Sequence, residues 1–293
     1  MGDILTKAIT KDGYMRIYSV VSSDTVNAAR TYHSLSPVAS ATLGRLLSGG
    51  IMMGAMLKGD DSSLTLQFKG DGPIGSVVVV ANSKGNVKGY VTNPLVDLPL
   101  KENGKLDVGG AVGKGTMSVI RDLKMKEPYI GQLEIQTGEI GDDLAYYFMQ
   151  SEQVPSVVAL GVLVDVDYSI KCSGGFIIQV MPNCDEKSLS KLEKSVGNLM
   201  SVTEMLTNGM SSEEIIKYVM LGFDVDILES TSVGYVCDCH RERMERALVS
   251  LGKTELQSLI DEQDGAEIVC QFCNNAYKFN SEDLEYLKGK CKK

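Results

Sequence analysis

LTLQFKGDGPIGSVVVVANSKGNVKGYVT, residues 64–92, decides how the first half of this chain folds. Leu64, Leu66 and Phe68 alternate with Thr65, Gln67 and Lys69, the two-residue period of a strand buried on one face. Gly70-Asp71-Gly72-Pro73 is turn chemistry, since glycine supplies the unusual backbone angles and proline presets one. A β-branched run follows at 76–81, then a second turn at Ser83-Lys84-Gly85-Asn86 and a third strand at 87–92. Connections this short join antiparallel neighbours, because a parallel return needs a dozen or more residues.

Upstream, Ser36-Pro37 reads as a helix N-cap with proline at the first helical position. Residues 38–57 are then helical in composition, with Leu43, Leu46, Leu47, Met52 and Met53 among their apolar members. Gly44, Gly49, Gly50 and Gly54 each lower helix propensity by up to about 1 kcal/mol. They suit a buried core helix against which another element packs closely. Downstream, further strands are expected at 115–121, 132–136, 157–164 and 175–180. A short helix is expected after Asp142-Asp143, through Ala145 to Met149. Strands that neighbour one another along the chain make the fold class α+β, an antiparallel-sheet domain with packed helices.

The texture changes at Pro182-Asn183-Cys184. From 187 to about 227 the residues are helix formers with heptad-like apolar spacing at Leu189, Leu192, Val196, Leu199 and Met200. Asn208-Gly209 breaks the run, and Ser211-Ser212-Glu213-Glu214 restarts it with acids where the helix dipole favours them. Such short amphipathic helices need a partner surface. The expected organisation is an N-terminal α+β domain at 1–183, a helical linker at 184–234 and a small terminal module at 235–293. The last is too short to be held by apolar burial alone and normally needs a staple.

Of the 293 residues 43% are apolar and the formal net charge is −9. A negative chain is a poor partner for phosphate, so no nucleic acid is expected. No stretch reaches the roughly 18 apolar residues of a membrane span, and no signal-peptide core is evident. A soluble cytoplasmic protein without a membrane partner is expected. Seven cysteines, none before Cys172, suggest metal or redox chemistry in such a chain before a disulfide framework.

Cys237-Asp238-Cys239 is followed, after thirty intervening residues, by Cys270-Gln271-Phe272-Cys273. Four soft thiolates in two pairs suit one tetrahedral Zn²⁺, whose binding energy, on the order of 10–16 kcal/mol, becomes folding energy for a small module. Two readings stay open on spacing alone. One is a purely structural zinc ribbon. The other is a switch in which oxidation closes Cys237 with Cys239 and Cys270 with Cys273 and expels the metal. His240 is a spare ligand best read as solvated, and His33 has no evident partner. Cys172 and Cys184 read as ordinary thiols and Cys291 as an exposed one. Gly70, Gly72 and Gly75 spell a dinucleotide fingerprint but lead into a strand instead of a helix, and the 109–116 glycine run has the wrong phosphate-loop spacing. No catalytic constellation is visible.

The chain resembles the bacterial redox-regulated heat-shock holdases of about 33 kDa. The resemblance rests on His33-Ser34-Leu35-Ser36-Pro37, Ala41 to Arg45 and Gly54-Ala55-Met56-Leu57-Lys58. It continues through Gln67-Phe68-Lys69-Gly70-Asp71-Gly72-Pro73-Ile74-Gly75, Gly85-Asn86-Val87-Lys88-Gly89-Tyr90-Val91 and the two cysteine pairs. It implies an ATP-independent chaperone that is off when reduced and zinc-bound. On oxidation it would form Cys237–Cys239 and Cys270–Cys273, release zinc, unfold its linker, dimerise and bind unfolding client proteins. The extra thiols Cys172, Cys184 and Cys291 are a departure from that simple scheme. A thiol–disulfide oxidoreductase is the competing class, opposed by the absence of a βαβ unit around Cys270–Cys273. A zinc ribbon docking on nucleic acid is the third, opposed by a terminal module with 9 Lys/Arg against 11 Asp/Glu.

Overall fold

Each alternating run of 64–92 becomes one rung-by-rung ladder. A computed structural model describes residues 2–291; Met1, Lys292 and Lys293, at the ends of the expected ranges 1–183 and 235–293, lie outside them. Contacts divide the chain into two units, Met1–Val236 and Cys237–Lys293. The first unit contains, in order, β1 (Ile4–Thr10), β2 (Met15–Val21), α1 (Ser23–His33), α2 (Pro37–Gly54), β3 (Ser63–Gly70), β4 (Ser76–Asn82) and β5 (Asn86–Val91). It continues with α3 (Val108–Val112), β6 (Gly115–Asp122), β7 (Tyr129–Glu134), α4 (Ile140–Ser151), β8 (Ser156–Val164) and β9 (Ile170–Val180). Then come α5 (Glu186–Val196), α6 (Val202–Thr207), α7 (Ser212–Val219), β10 (Val225–Ser232) and β11 (Gly234–Tyr235).

β3, β4 and β5 are the two expected hairpins, with Leu66 opposite Val79 and Val79 opposite Gly89. They belong to a six-stranded sheet ordered β11-β5-β4-β3-β6-β7, antiparallel except where β11 lies beside β5. A five-stranded antiparallel sheet is ordered β10-β1-β2-β9-β8. α2 packs on β3, β4 and β5 of one sheet and on β2, β8 and β9 of the other. All of its residues except Pro37 and Arg45 are therefore buried. Its glycines are where neighbouring elements press closest. A Cβ on Gly50 would stand 2.7 Å from Val79 Cγ1, and one on Gly54 2.7 Å from the Asn82 carbonyl oxygen. The helix begins as read, with the Ala39 N–H donating to Ser36 Oγ at 3.3 Å and Pro37 in the first turn.

The segment after β9 differs in part from the helical reading. α5, α6 and α7 are helices, and capping boxes at Ser201/Glu204 and Ser211/Glu214 start the last two. Their apolar faces, with Leu192, Val202, Met205, Ile215, Ile216 and Val219 buried, close a second cluster over Met15, Ile17, Phe176 and Ile178 of the five-stranded sheet. Residues 225–232, however, form β10, antiparallel to β1. Val225 and Ile227 alternate with Asp226, and the edge of β1 offers main-chain donors and acceptors that an extended segment satisfies better than a helix would. β10 is mostly exposed; Val225 and Ile227 pack at the rim of the second cluster, the Thr6 hydroxyl reaches that of Ser230 at 3.0 Å and Lys7 pairs with Glu229 at 3.0 Å. At Val233, whose N–H donates to the Asp3 carbonyl at 3.1 Å, the chain passes from this sheet to the other. There the Gly234 N–H bonds the Gly85 carbonyl and the Val236 N–H that of Val87.

The second unit has α8 (Arg241–Leu251), α9 (Lys253–Gln263), β12 (Gly265–Val269), β13 (Ala276–Asn280) and α10 (Ser281–Lys290). Its core is small: Leu248, Leu256, Phe279, Leu284, Leu287 and Cys291. Among the described residues no helix is long and apolar enough to cross a membrane.

Candidate metal centre

Cys270 and Cys273 occupy the turn between β12 and β13. The Cys270 N–H donates to the Asn275 carbonyl at 2.9 Å, and the Cys273 and Asn274 N–H groups fold back onto the Cys270 carbonyl at 3.3 and 2.8 Å. Asn274 takes the left-handed conformation this turn needs, with φ of 58°. Both cysteines are buried. Cys237 and Cys239 stand half-buried in the extended stretch before α8. All four sulfur atoms lie within 4.8 Å of one another. Cys237 Sγ is 3.7 Å from Cys270 Sγ and Cys239 Sγ 3.3 Å from Cys273 Sγ, so these close contacts run across the two sequence pairs. A tetrahedral metal with arms of about 2.3 Å puts its sulfurs roughly 3.8 Å apart.

The charges point the same way. Burial pushes Cys239 up, but hydrogen bonds from Tyr277 and the neighbouring thiols outweigh it and hold the thiol at about 7. Burial raises Cys237, and burial with the adjacent sulfurs drives Cys273 far above the ordinary thiol range. Four sulfurs this close cannot all ionise unless a cation compensates them. The donor set therefore fits a thiophilic cation such as zinc, and among the described residues no ligand of another type belongs to the cluster.

His240 is exposed and turns its Nδ1 to the Asp238 carbonyl at 3.0 Å, outside the cluster. His33, which sequence reasoning left without a partner, sits 3.4 Å from the Tyr235 hydroxyl. Cys172 is buried on β9 and donates to the Thr203 carbonyl at 3.7 Å. Cys184 is half-buried, with its thiol toward the Asp185 carbonyl. Cys291 is buried and not exposed, because α10 packs on α8 and the thiol at its end reaches the Val249 carbonyl at 3.5 Å. The residue that sequence reasoning missed is Tyr277, whose hydroxyl donates to Cys239 Sγ at 3.1 Å and whose phenol is thereby pushed up to about 12. An aromatic residue four positions past Cys273 is no signal by itself; only the hairpin brings it back to the sulfurs.

The profile of the Hsp33 protein family matches residues 3–280. The chain belongs to the Hsp33 family. It is 51% identical to the 33 kDa chaperonin of Caldanaerobacter subterraneus subsp. tengcongensis over 288 residues, 98% of both chains. It is 50% identical to the 33 kDa chaperonin of Clostridium tetani over the same share of each. The crystal structure of the Thermotoga maritima 33 kDa chaperonin, a heat shock protein 33 homolog, superposes with a TM-score of 0.92, 37% identity and 99% of each chain covered. As an Hsp33 protein the chain is a chaperone and not an enzyme. The α+β fold read from the hairpins is that of the family's crystal structure.

Proposed function

We propose that this Hsp33 protein is an ATP-independent holdase switched by its own cysteines. In the resting state Cys237, Cys239, Cys270 and Cys273 hold one Zn²⁺ per chain. When bound, zinc cross-links the two cysteine pairs and fixes the terminal module. Peroxide takes two electrons from the Cys237 and Cys239 thiolates, which join as a disulfide, while two protons are consumed and two waters leave. Cys270 and Cys273 close in the same way. A disulfide sulfur carries no thiolate charge, so each closed pair forfeits two ligands and the staple is lost.

The ranges we assign are 1–183 for the client-binding and dimerising domain, 184–234 for the linker and 235–293 for the switch. Loss of the module's fold loosens the linker behind it. The faces of α5, α6 and α7 that carry Leu192, Met205, Ile215 and Ile216 then become available, together with the sheet they cover. Methionine on such a face adapts to varied partners. Clients are unfolding proteins, the oxidised form is a homodimer, and the reducing cytoplasm keeps the switch off until an oxidant arrives.

The observation that carries this reading is the sulfur quartet inside a module whose own apolar core has, among the described residues, six buried members. The deciding experiment is light scattering of a heat-unfolding client with the protein added either reduced and zinc-loaded or oxidised and zinc-free. Suppression by the oxidised form alone is expected. Equal behaviour of the two forms would leave the quartet a structural ribbon and remove the switch.

A further inference from the structure

We infer that Tyr277 is the positioning residue that governs how readily Cys239 gives up the metal and meets an oxidant, an inference that rests on the zinc-switch reading above. Tyr277 stands on β13 opposite Ile268 of β12, in the hairpin whose turn carries Cys270 and Cys273. Its hydroxyl nevertheless reaches the other pair, donating to Cys239 Sγ at 3.1 Å. One hydrogen bond therefore ties a cysteine of the first pair to the hairpin of the second. The ring is half-buried against the module's small core, which fixes its direction.

The chemistry of that contact is one-sided. A thiolate is a strong acceptor of an O–H donor, and a neutral disulfide sulfur is a weak one. The bond is thus present in the ligating state and largely lost in the oxidised one. It also draws density from the lone pair that attacks peroxide. In that attack the Cys239 thiolate bonds to one peroxide oxygen, the O–O bond breaks and hydroxide leaves. The Cys237 thiolate then displaces a second hydroxide from the sulfenic sulfur to form the disulfide. The phenol opposes the first of these steps, and donors to metal ligands of this kind tune affinity by roughly 10–100-fold.

The test uses the full-length, zinc-loaded protein and Tyr277→Phe, which keeps the ring and deletes the hydroxyl. Zinc affinity is measured by competition with a chromophoric chelator, and zinc release is followed under hydrogen peroxide. Initial alkylation rates of the four cysteines are read separately by mass spectrometry. The Phe variant is expected to bind zinc about 10-fold more weakly and to release it several-fold faster, with the early gain in alkylation confined to Cys239. A merely structural tyrosine would raise all four rates together. 3-Fluorotyrosine at position 277, a stronger donor, is expected to slow release, which keeps the inference testable should the Phe variant fold poorly. Uniform acceleration at all four cysteines, or no change, overturns the inference. Wild-type protein that holds no zinc, or keeps it under peroxide, instead defeats the switch reading itself.

Discussion

Around α2 a single apolar cluster runs from Leu5 to Ile177, with Leu46, Phe68 and Phe148 wholly buried. In the terminal unit the corresponding cluster is Leu248, Leu256, Phe279, Leu284, Leu287 and Cys291. Between them in sequence, α5 to α7 bury one face each against a sheet and expose the rest. The cluster around α2 is held by water leaving apolar surface, with no cysteine ligand in it. On the proposed switch the terminal unit depends instead on four sulfur ligands, which an oxidant removes. A chain built this way can lose one part of its fold and keep the other, and that separation is what a switch requires.

The sharpest way to break the comparison is to remove the metal. Chelation of zinc from the reduced protein should abolish amide protection across 237–291, since a structural zinc contributes on the order of 10–16 kcal/mol. Protection in α2 and β3 to β6 should persist, and hydrogen exchange reads both at once. The converse experiment attacks the first core. Phe68→Ala, at a fully buried site, should cost about 3–5 kcal/mol in the urea transition of the first unit while zinc content is unchanged.

Between these extremes lies the linker. Ile216→Ala removes a buried anchor of α7 worth about 2–4 kcal/mol. It should raise aggregation suppression by the reduced, zinc-loaded protein, measured by light scattering, if docking of α7 is what keeps that form quiet. The smallest effect concerns Glu139. Burial pushes its carboxyl up, but the Lys101 ammonium at 2.7 Å and the paired Arg45 outweigh this and leave it below the usual carboxylate range. Its stabilisation is therefore present above the unfolded value, about 4.3, and lost as pH falls through the lower folded value. Glu139→Gln should destabilise by about 1 kcal/mol at neutral pH, discounted for partial exposure, and the gap to wild type should close in denaturation curves taken below about pH 4.

How much of this was legible beforehand follows from how local each signal is. The hairpins of 64–92 were plain because alternation and turn residues are both short-range. The glycines of α2 pointed to close packing without saying what packs, since Val79 and Asn82 arrive from far along the chain. Residues 225–232 misled because Val225, Ile227 and Leu228 suit a helix face as well as a strand, and only the free edge of β1 decides between them. The cysteine pairs announced a donor set by spacing alone. Tyr277 did not, because its relation to Cys239 exists only once β12 and β13 pair, and the burial of Cys291 likewise waits on α10.

The passage of the chain from β10 to β11 has a mechanical consequence. Residues 225–236 close the first unit one position before Cys237, and run along one sheet edge and then the other, held by backbone bonds and, at Tyr235, by a hydroxyl that donates to the Gly89 carbonyl at 2.7 Å. A strand loaded at its end peels, opening one hydrogen bond after another, each worth roughly 1 kcal/mol net, whereas a strand loaded along its length must shear all of them together. Disturbance arriving from the Cys237 side therefore meets the short β11 first, next the β10 ladder, and only then α7. The tether is built like a zip fastener with its slider at the Cys237 end, so a modest push there is spread over many small steps instead of one large barrier.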